Sequence, residues 1–213
     1  FIMQKLQINH IISPILENSE GVMQNQAHSF DVFEHLNRSL QCAADKNYPL
    51  HVRLAALFHD IGKPKTAIFS RENNDWTFYG HEVVGAKIAH KILVDLRLPK
   101  DLIDKVVKLI RWHMFFSDTE TITLSAVRRL IVNVGKDMIW DLMDVRVCDR
   151  VGTGRPKENP YRLRKYKAMI EEALRDPISL SMLKIDGNDL IKEAGIPAGP
   201  KIGFILQALF NDV

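Results

Sequence analysis

A chain of 213 residues, 46% hydrophobic and 26% charged, is long enough for one sizeable domain or a domain with a small appendage, and its composition excludes wholesale disorder. Its formal charge of +3 is too mild to predict nucleic-acid binding by itself. Cys42 and Cys148 stand apart among apolar neighbours, which excludes a disulfide framework or a zinc ribbon and marks them as core residues of a reducing compartment. No apolar run approaches the ~20 residues of a membrane span and no cleavable signal is visible, so a cytoplasmic location is expected by default.

Apolar residues recur mostly at helical spacing. Residues 3–18 suggest a first helix, weakly ended near Pro14. Asp31 is placed to cap a strong helix running to about Lys46, with Val32, Leu36, Leu40 and Ala43 on one face. Pro49 restarts the chain. His51 to Ile61 then reads as a mostly apolar helix stopped by Gly62 and Pro64. Two β-prone runs, Thr66 to Phe69 and Trp76 to Tyr79, flank the turn-rich Arg71-Glu72-Asn73-Asn74-Asp75 and predict a small hairpin over about 66–79.

Gly80 precedes a helix to about Leu96, and Pro99 opens another to about Met114. Further helices are expected over about 123–133 and 136–150. Gly152, Gly154 and Pro156 predict a loop, followed by a basic helix over about 159–175 that Pro177 ends. Helices after Asp186 and after Gly199-Pro200 complete the chain. The fold class is all-α with one hairpin insertion. Seven of the eight ionic residues singled out between Arg150 and Lys167 are cations (Arg150, Arg155, Lys157, Arg162, Arg164, Lys165, Lys167, against Glu158), a run that would attract phosphate or form a solvated helix face.

Several ionisable residues fall on inward faces. His35 lies three residues after Val32. His81 precedes Val84 by three and Ile88 by seven, and His113 follows Leu109 by four and Val106 by seven. Asp149 follows Val145 by four and Leu142 by seven. His59 and Asp60 are adjacent at the end of an apolar helix, where they point ~100° apart and can meet on an ion lying between them. Singly, each has an ordinary explanation. An inward histidine often bonds a backbone carbonyl, Asp149 could pair with Arg146 or Arg150, and Asp60 with Lys63. Together, on separate helices, they need a shared partner, because a buried unpaired carboxylate is very costly.

The run Phe58-His59-Asp60-Ile61-Gly62-Lys63 resembles the signature of the HD-domain phosphohydrolase superfamily, with His35 and Asp149 at the positions of its outer ligands and His81 and His113 at those of two further histidines. More of the chain is similar to the HD region of bacterial tRNA nucleotidyltransferases and poly(A) polymerases. The matching stretches are Phe33-Glu34-His35, Arg53 to Pro64, Phe78 to Ala86, and the tail Ile185 to Ile191 with Gly195 to Gly203. The likeness runs from about Gln24 onward, through His28. The Gly-Gly motif and acidic pair of a nucleotidyltransferase head do not occur here.

This resemblance implies an HD helical bundle over 1–155 and a C-terminal helical extension over 156–213. It implies a divalent ion (Mn, Fe, Ni, Co or Mg) on His35, His59, Asp60 and Asp149, with His81 and His113 available to a second ion. The implied chemistry is phosphoester hydrolysis by a metal-activated water, with Asp60, Lys63, His81 and His113 as the catalytic group. Lys63 would neutralise phosphate charge, or be a plain exposed cation at a helix end. His28, Arg150 and Arg155 are the candidate contacts to a substrate phosphate or RNA, although a loop histidine is the simpler reading of His28. The expected partners are a nucleotide or an RNA 3′ end, tRNA among them. The alternative is a tRNA-binding module belonging to a nucleotidyltransferase whose head lies elsewhere. A nucleotide-signalling hydrolase is a third reading, disfavoured by the tail. His10, His51 and His90 match no motif and read as surface or packing residues.

Overall fold

The computed structural model describes residues 14–25, 29–115, 121–154, 160–175 and 183–212. They divide between two compact units, one formed by 1–115 with 138–159 and the other by 116–137 with 160–213.

In the first unit a short helix, α1 (Pro14–Glu17), precedes α2 (Val32–Asp45) and α3 (Leu50–Phe58). Most of the helix expected over 3–18, with its expected end near Pro14, lies outside the described residues; within them Pro14 is the first residue of α1. Asp31 caps α2 as its sequence position predicts: its carboxylate accepts the Glu34 N–H at 2.8 Å. The buried positions of α2, including Val32, Leu36 and Ala43, recur at helical spacing and form the predicted stripe. Next come α4 (Lys63–Thr66), the strands β1 (Ile68–Ser70) and β2 (Asp75–Thr77), then α5 (His81–Asp95), α6 (Lys100–Trp112) and α8 (Ile139–Gly152). The number α7 belongs to Leu124–Val134 of the second unit.

The hairpin is antiparallel, with Phe69 opposite Trp76 and Ile68 opposite Thr77. It occupies the centre of the segment predicted for it.

Helix α3 is central. It packs against α2, α6 and α8, while α5 packs on α6 and α2 on α8. Its faces are small, with Ala55 and Ala56 fully buried, so its neighbours approach closely. Val52, Leu36, Leu93, Val106, Leu109, Ile110, Leu142 and Met143 fill the interior around it. Each such side chain contributes about 1.5–3 kcal/mol on leaving water. Cys42 and Cys148 are both buried free thiols, in one apolar cluster with Ala43 and Ala56. They are core residues, as expected.

Two boundaries differ from the sequence reading. Helix α3 ends at Phe58, not at Ile61. Tighter bonds take over, from Ile61 N–H to Phe58 O and from Lys63 N–H to Asp60 O, so His59 and Asp60 sit in a turn. Pro64 then occupies the first turn of α4, where its missing N–H costs nothing. Gly152, assigned to a loop from sequence, is the last residue of α8.

In the second unit α7 (capped by Thr123) packs on α9 (Tyr161–Arg175). There α10 (Gly187–Lys192) packs on α11 (Pro200–Asp212). Asp186 closes a full capping box with Asp189 at the start of α10. Among the described residues no helix is long and apolar enough to cross a membrane.

Candidate metal centre

Six side chains from five places in the first unit meet at one point. His35 comes from α2, His59 and Asp60 from the turn after α3, His81 from the first position of α5, His113 from the end of α6 and Asp149 from α8. All six are buried.

Glycines permit this convergence. A side chain at Gly62 would run into the His81 carbonyl and lie 2.7 Å from the Gly85 amide nitrogen. The bare backbone therefore lets the turn after α3 settle onto α5 and bring Asp60 to His81. A Cβ at Gly152 would strike the Ser39 hydroxyl and stand 2.8 Å from the His35 carbonyl oxygen. Its absence lets α8 approach α2 with Asp149 facing His35.

Three of the histidines are oriented alike. The Nδ1–H of His59 donates to the Ala56 carbonyl at 2.9 Å, that of His81 to Phe78 at 2.6 Å and that of His113 to Ile110 at 2.7 Å. Each acceptor lies three residues back along a turn, so the backbone fixes both ring plane and tautomer and leaves Nε2 facing the centre.

There the donor atoms form two groups. His35 Nε2 lies 2.9 Å from His59 Nε2, 3.1 Å from Asp60 Oδ2 and 3.4 Å from Asp149 Oδ1. His59 Nε2 is 3.3 Å from Asp60 Oδ2 and 3.6 Å from Asp149 Oδ1. On the other side of the same carboxylate, Asp60 Oδ1 is 3.1 Å from His81 Nε2 and 3.5 Å from His113 Nε2, and those two nitrogens are 3.2 Å apart.

These separations fit a cation. Ligands ~2.1 Å from one ion stand ~3.0–3.4 Å from each other at octahedral or tetrahedral angles. The set His35, His59, Asp60 and Asp149 and the set Asp60, His81 and His113 each keep their ligand atoms within 4.8 Å of one another. The donors are imidazole nitrogen and carboxylate oxygen without thiolate, a mixture suited to Mn²⁺, Fe²⁺, Co²⁺, Ni²⁺ or Mg²⁺.

Two fixed cations balance the carboxylates. Lys63 Nζ lies 2.6 Å from Asp60 Oδ2, and the Arg146 guanidinium donates to Asp149 Oδ2 at 2.5 Å. Burial opposes ionisation of both acids, yet Lys63 and His59 hold Asp60 well below the usual carboxylate range, and Arg146 with His35 does the same for Asp149. Burial also opposes protonation of His35, but hydrogen bonds to Asp149 and Asp60 outweigh it and raise the group. At His59 burial is overcome by the charge of Asp60 and the bond to Asp149, and the pKa is pushed up to about 10. His113 is lowered, chiefly by burial. The two carboxylates thus favour positive charge on the His35 and His59 side of the cluster.

Lys63 is buried and bound to Asp60, which removes the exposed helix-end reading. Of the two arginines offered to Asp149, Arg146 makes the bond given above. Arg150 is half-buried in the last turn of α8. His28 and Arg155 lie outside the described residues, as do Lys157 and His10. Within the basic run, Arg162 and Arg164 of α9 are exposed. His51 is not an idle surface residue: it bonds Asp141 of α8 at 2.7 Å. Side-chain periodicity had no means of finding the three carbonyl tethers, which are backbone groups, nor the contact of Gln24 with Lys63 at 2.6 Å. The one sequence signal for the latter was that Gln24 opens the stretch resembling the nucleotidyltransferases.

The HD domain family matches residues 27–154. The CC-adding tRNA nucleotidyltransferase of Thermus thermophilus is 33% identical over 213 residues, covering 99% of this chain and 47% of that protein. The A-adding tRNA nucleotidyltransferase of Deinococcus radiodurans is 27% identical, covering 97% of this chain and 48% of its own length. The multifunctional CCA protein of Neisseria meningitidis is 27% identical over 65% of this chain. The chain spans about half the length of the first two of these curated relatives. With the family match extending over more than half of its residues, and with the His-Asp pair seated beside His35 and Asp149, this chain belongs to the HD-domain family.

Proposed function

We propose that the chain is a metal-dependent phosphohydrolase acting on a nucleotide or RNA-end phosphate. The observation that carries this reading is Asp60 shared between two buried donor groups, one on each carboxylate oxygen. A scaffold has no need of six convergent ligands. His35, His59, Asp60 and Asp149 would hold one divalent ion, and His81 with His113 would hold a second or contact the phosphate. The bound cation supplies Lewis acidity, which draws off phosphoryl charge and acidifies water beside it. Asp60 orients what lies between the two donor groups. Lys63 presents positive charge to the phosphoryl oxygens. His113, kept toward its neutral form by burial, suits the role of ligand or proton acceptor. If His81 and His113 contact the phosphate and no second ion is held, they are together the candidates to protonate the leaving oxygen.

The substrate class is drawn from the relatives, whose names place them on tRNA. They also support a second reading, in which this chain is the HD and tRNA-binding portion of a nucleotidyltransferase. Arg150, with His28 and Arg155 beyond the described residues, is assigned on either reading to contacts with a substrate phosphate or RNA.

The test is a double substitution, His59→Ala with Asp60→Ala, assayed for metal content, for hydrolysis of phosphomonoesters and 2′,3′-cyclic nucleotides, and for tRNA binding. The hydrolase reading expects metal and activity to vanish while the helical circular dichroism persists. Activity equal to the parent in the metal-free variant refutes it. Tight tRNA binding without hydrolysis in the parent chain selects the second reading.

A further inference from the structure

The segment before α2 is stitched to the start of that helix. Asp31 caps α2 through Oδ1 and accepts the Gly21 N–H on Oδ2 at 2.8 Å. Two backbone bonds, Val32 N–H to Val22 O and Phe33 N–H to Ser19 O, hold the incoming chain alongside. Gly21 makes the required turn at φ +70°, where a side chain is strained. This strap carries the Gln24 side chain inward, where it is 7% exposed.

Every polar atom of the Gln24 amide has a partner. Its Nε2 donates to the Phe30 carbonyl at 3.0 Å and to the Asp31 carbonyl at 3.3 Å. With both amide protons committed to acceptors, the oxygen must face the other way, and it receives the Lys63 ammonium at 2.6 Å. Lys63 gives a second N–H to Asp60 Oδ2 at 2.6 Å, and its Nζ lies 5.4 Å from the centre of the Phe78 ring. Lys63 itself is 5% exposed. Two of its three N–H bonds are thus aimed by fixed acceptors, and the third points where neither acceptor lies.

We propose that Gln24 is a positioning residue: it sets the Lys63 ammonium so that this third N–H serves a phosphoryl oxygen of the ligand. The inference rests on the reading that a phosphate binds at this centre. It assigns Gln24 a role exerted through Lys63 and none toward the cation, since its amide touches no ligand atom in the bonds above. A lysine left with Asp60 alone would swing about one acceptor and spend its donors on water.

A double-mutant cycle tests this. Inorganic phosphate is titrated by calorimetry into the full chain, as purified and after chelation, for the parent, Gln24→Met, Lys63→Met and the double variant. A hydrogen bond to a charged group is at stake, so Gln24→Met should weaken phosphate binding roughly tenfold in the parent background. In the Lys63→Met background it should add nothing, because the group it acts through is gone. Metal content of Gln24→Met stays at the parent level. Gln24→Glu keeps an acceptor for the ammonium but brings a competing charge. It should weaken phosphate binding at least as much, which keeps the idea testable if Gln24→Met folds poorly. Unchanged phosphate affinity in Gln24→Met, or an equal loss in both backgrounds, overturns the proposal. Phosphate binding that follows the cycle in a chain that hydrolyses no ester sinks the hydrolase reading and leaves this one standing.

Discussion

His35 and His59 face each other Nε2 to Nε2 at 2.9 Å, a distance at which two bare lone pairs repel. A proton or a metal ion must lie between them. Without metal the proton wins: His59 is raised from 6.5 to about 10, against the cost of burial, by Asp60 and Asp149, and His35 is raised as well. A group raised on folding contributes stability that is complete below its unfolded value and disappears as pH climbs through its folded value. Asp60 and Asp149 are depressed, so their share is present above the ordinary carboxylate range and lost in acid. Metal-stripped protein should therefore melt at a lower temperature at about pH 9 than at about pH 6. Metal reverses the preference, since a ligand must first lose its proton, and binding should weaken as the solution is acidified. Melting curves with and without Mn²⁺ across this range check both signs. A metal-free melting temperature that is flat from pH 6 to 9 means the imidazoles are not protonated at the centre.

At the scale of elements, the turn after α3 decides the site. Gly62 has no room for a methyl group, because the neighbours that a Cβ would meet are backbone atoms of α5, unable to rotate away. Gly62→Ala should cost about 1–3 kcal/mol by forcing these segments apart. It should also lower metal occupancy, because the separation falls between Asp60 and His81. Gly85, on the opposite side of the same contact, is the control. Its Cβ would meet Gly62 N at 3.3 Å and Ile110 Cγ2 at 3.6 Å, a tight fit but not an overlap. Alanine there also gains about 0.5–1 kcal/mol of helix propensity. Thermal melts should rank Gly62→Ala well below Gly85→Ala, and equal effects would remove the close contact as the reason for glycine at 62. Much of this unit was legible beforehand. Asp31, Gly80 and Pro99 mark helix starts, and the apolar stripe of α2 follows a simple period, because burial of one face repeats every turn. The turn itself was not legible. Whether His59 is the last helical residue or the first beyond it depends on bonds three residues apart competing with bonds four apart, and on how closely α5 approaches. The inward positions of His35, His81, His113 and Asp149 were visible, whereas the orientation of His59, His81 and His113 by the Ala56, Phe78 and Ile110 carbonyls was hidden, because every residue carries the same carbonyl.

For the whole molecule, the division into units carries a consequence for how metal is felt. Every proposed ligand comes from 1–115 or 138–159, and none from 116–137 or 160–213. A ligand that binds only the folded form stabilises it by about 2.7 kcal/mol at a hundred times its dissociation constant. That free energy reaches the segments whose opening must break the site. Amide hydrogen exchange of the chain with saturating Mn²⁺ should accordingly slow in α2, α3, α5, α6 and α8 relative to the chelated protein. Exchange in α7, α9, α10 and α11 should stay as it was. The hairpin offers an internal comparison, since Ile68 and Phe69 are exposed and its two short strands supply no ligand. Its amides should change little, although the neighbouring Phe78 carbonyl holds the His81 ring. Equal slowing in both units would mean that they open together, and the metal would then be a clamp on the entire chain. Slowing confined to α5 and α6 would place the ion on His81 and His113. Slowing confined to α2, α3 and α8 would assign it to His35, His59 and Asp149, with Asp60 common to both outcomes.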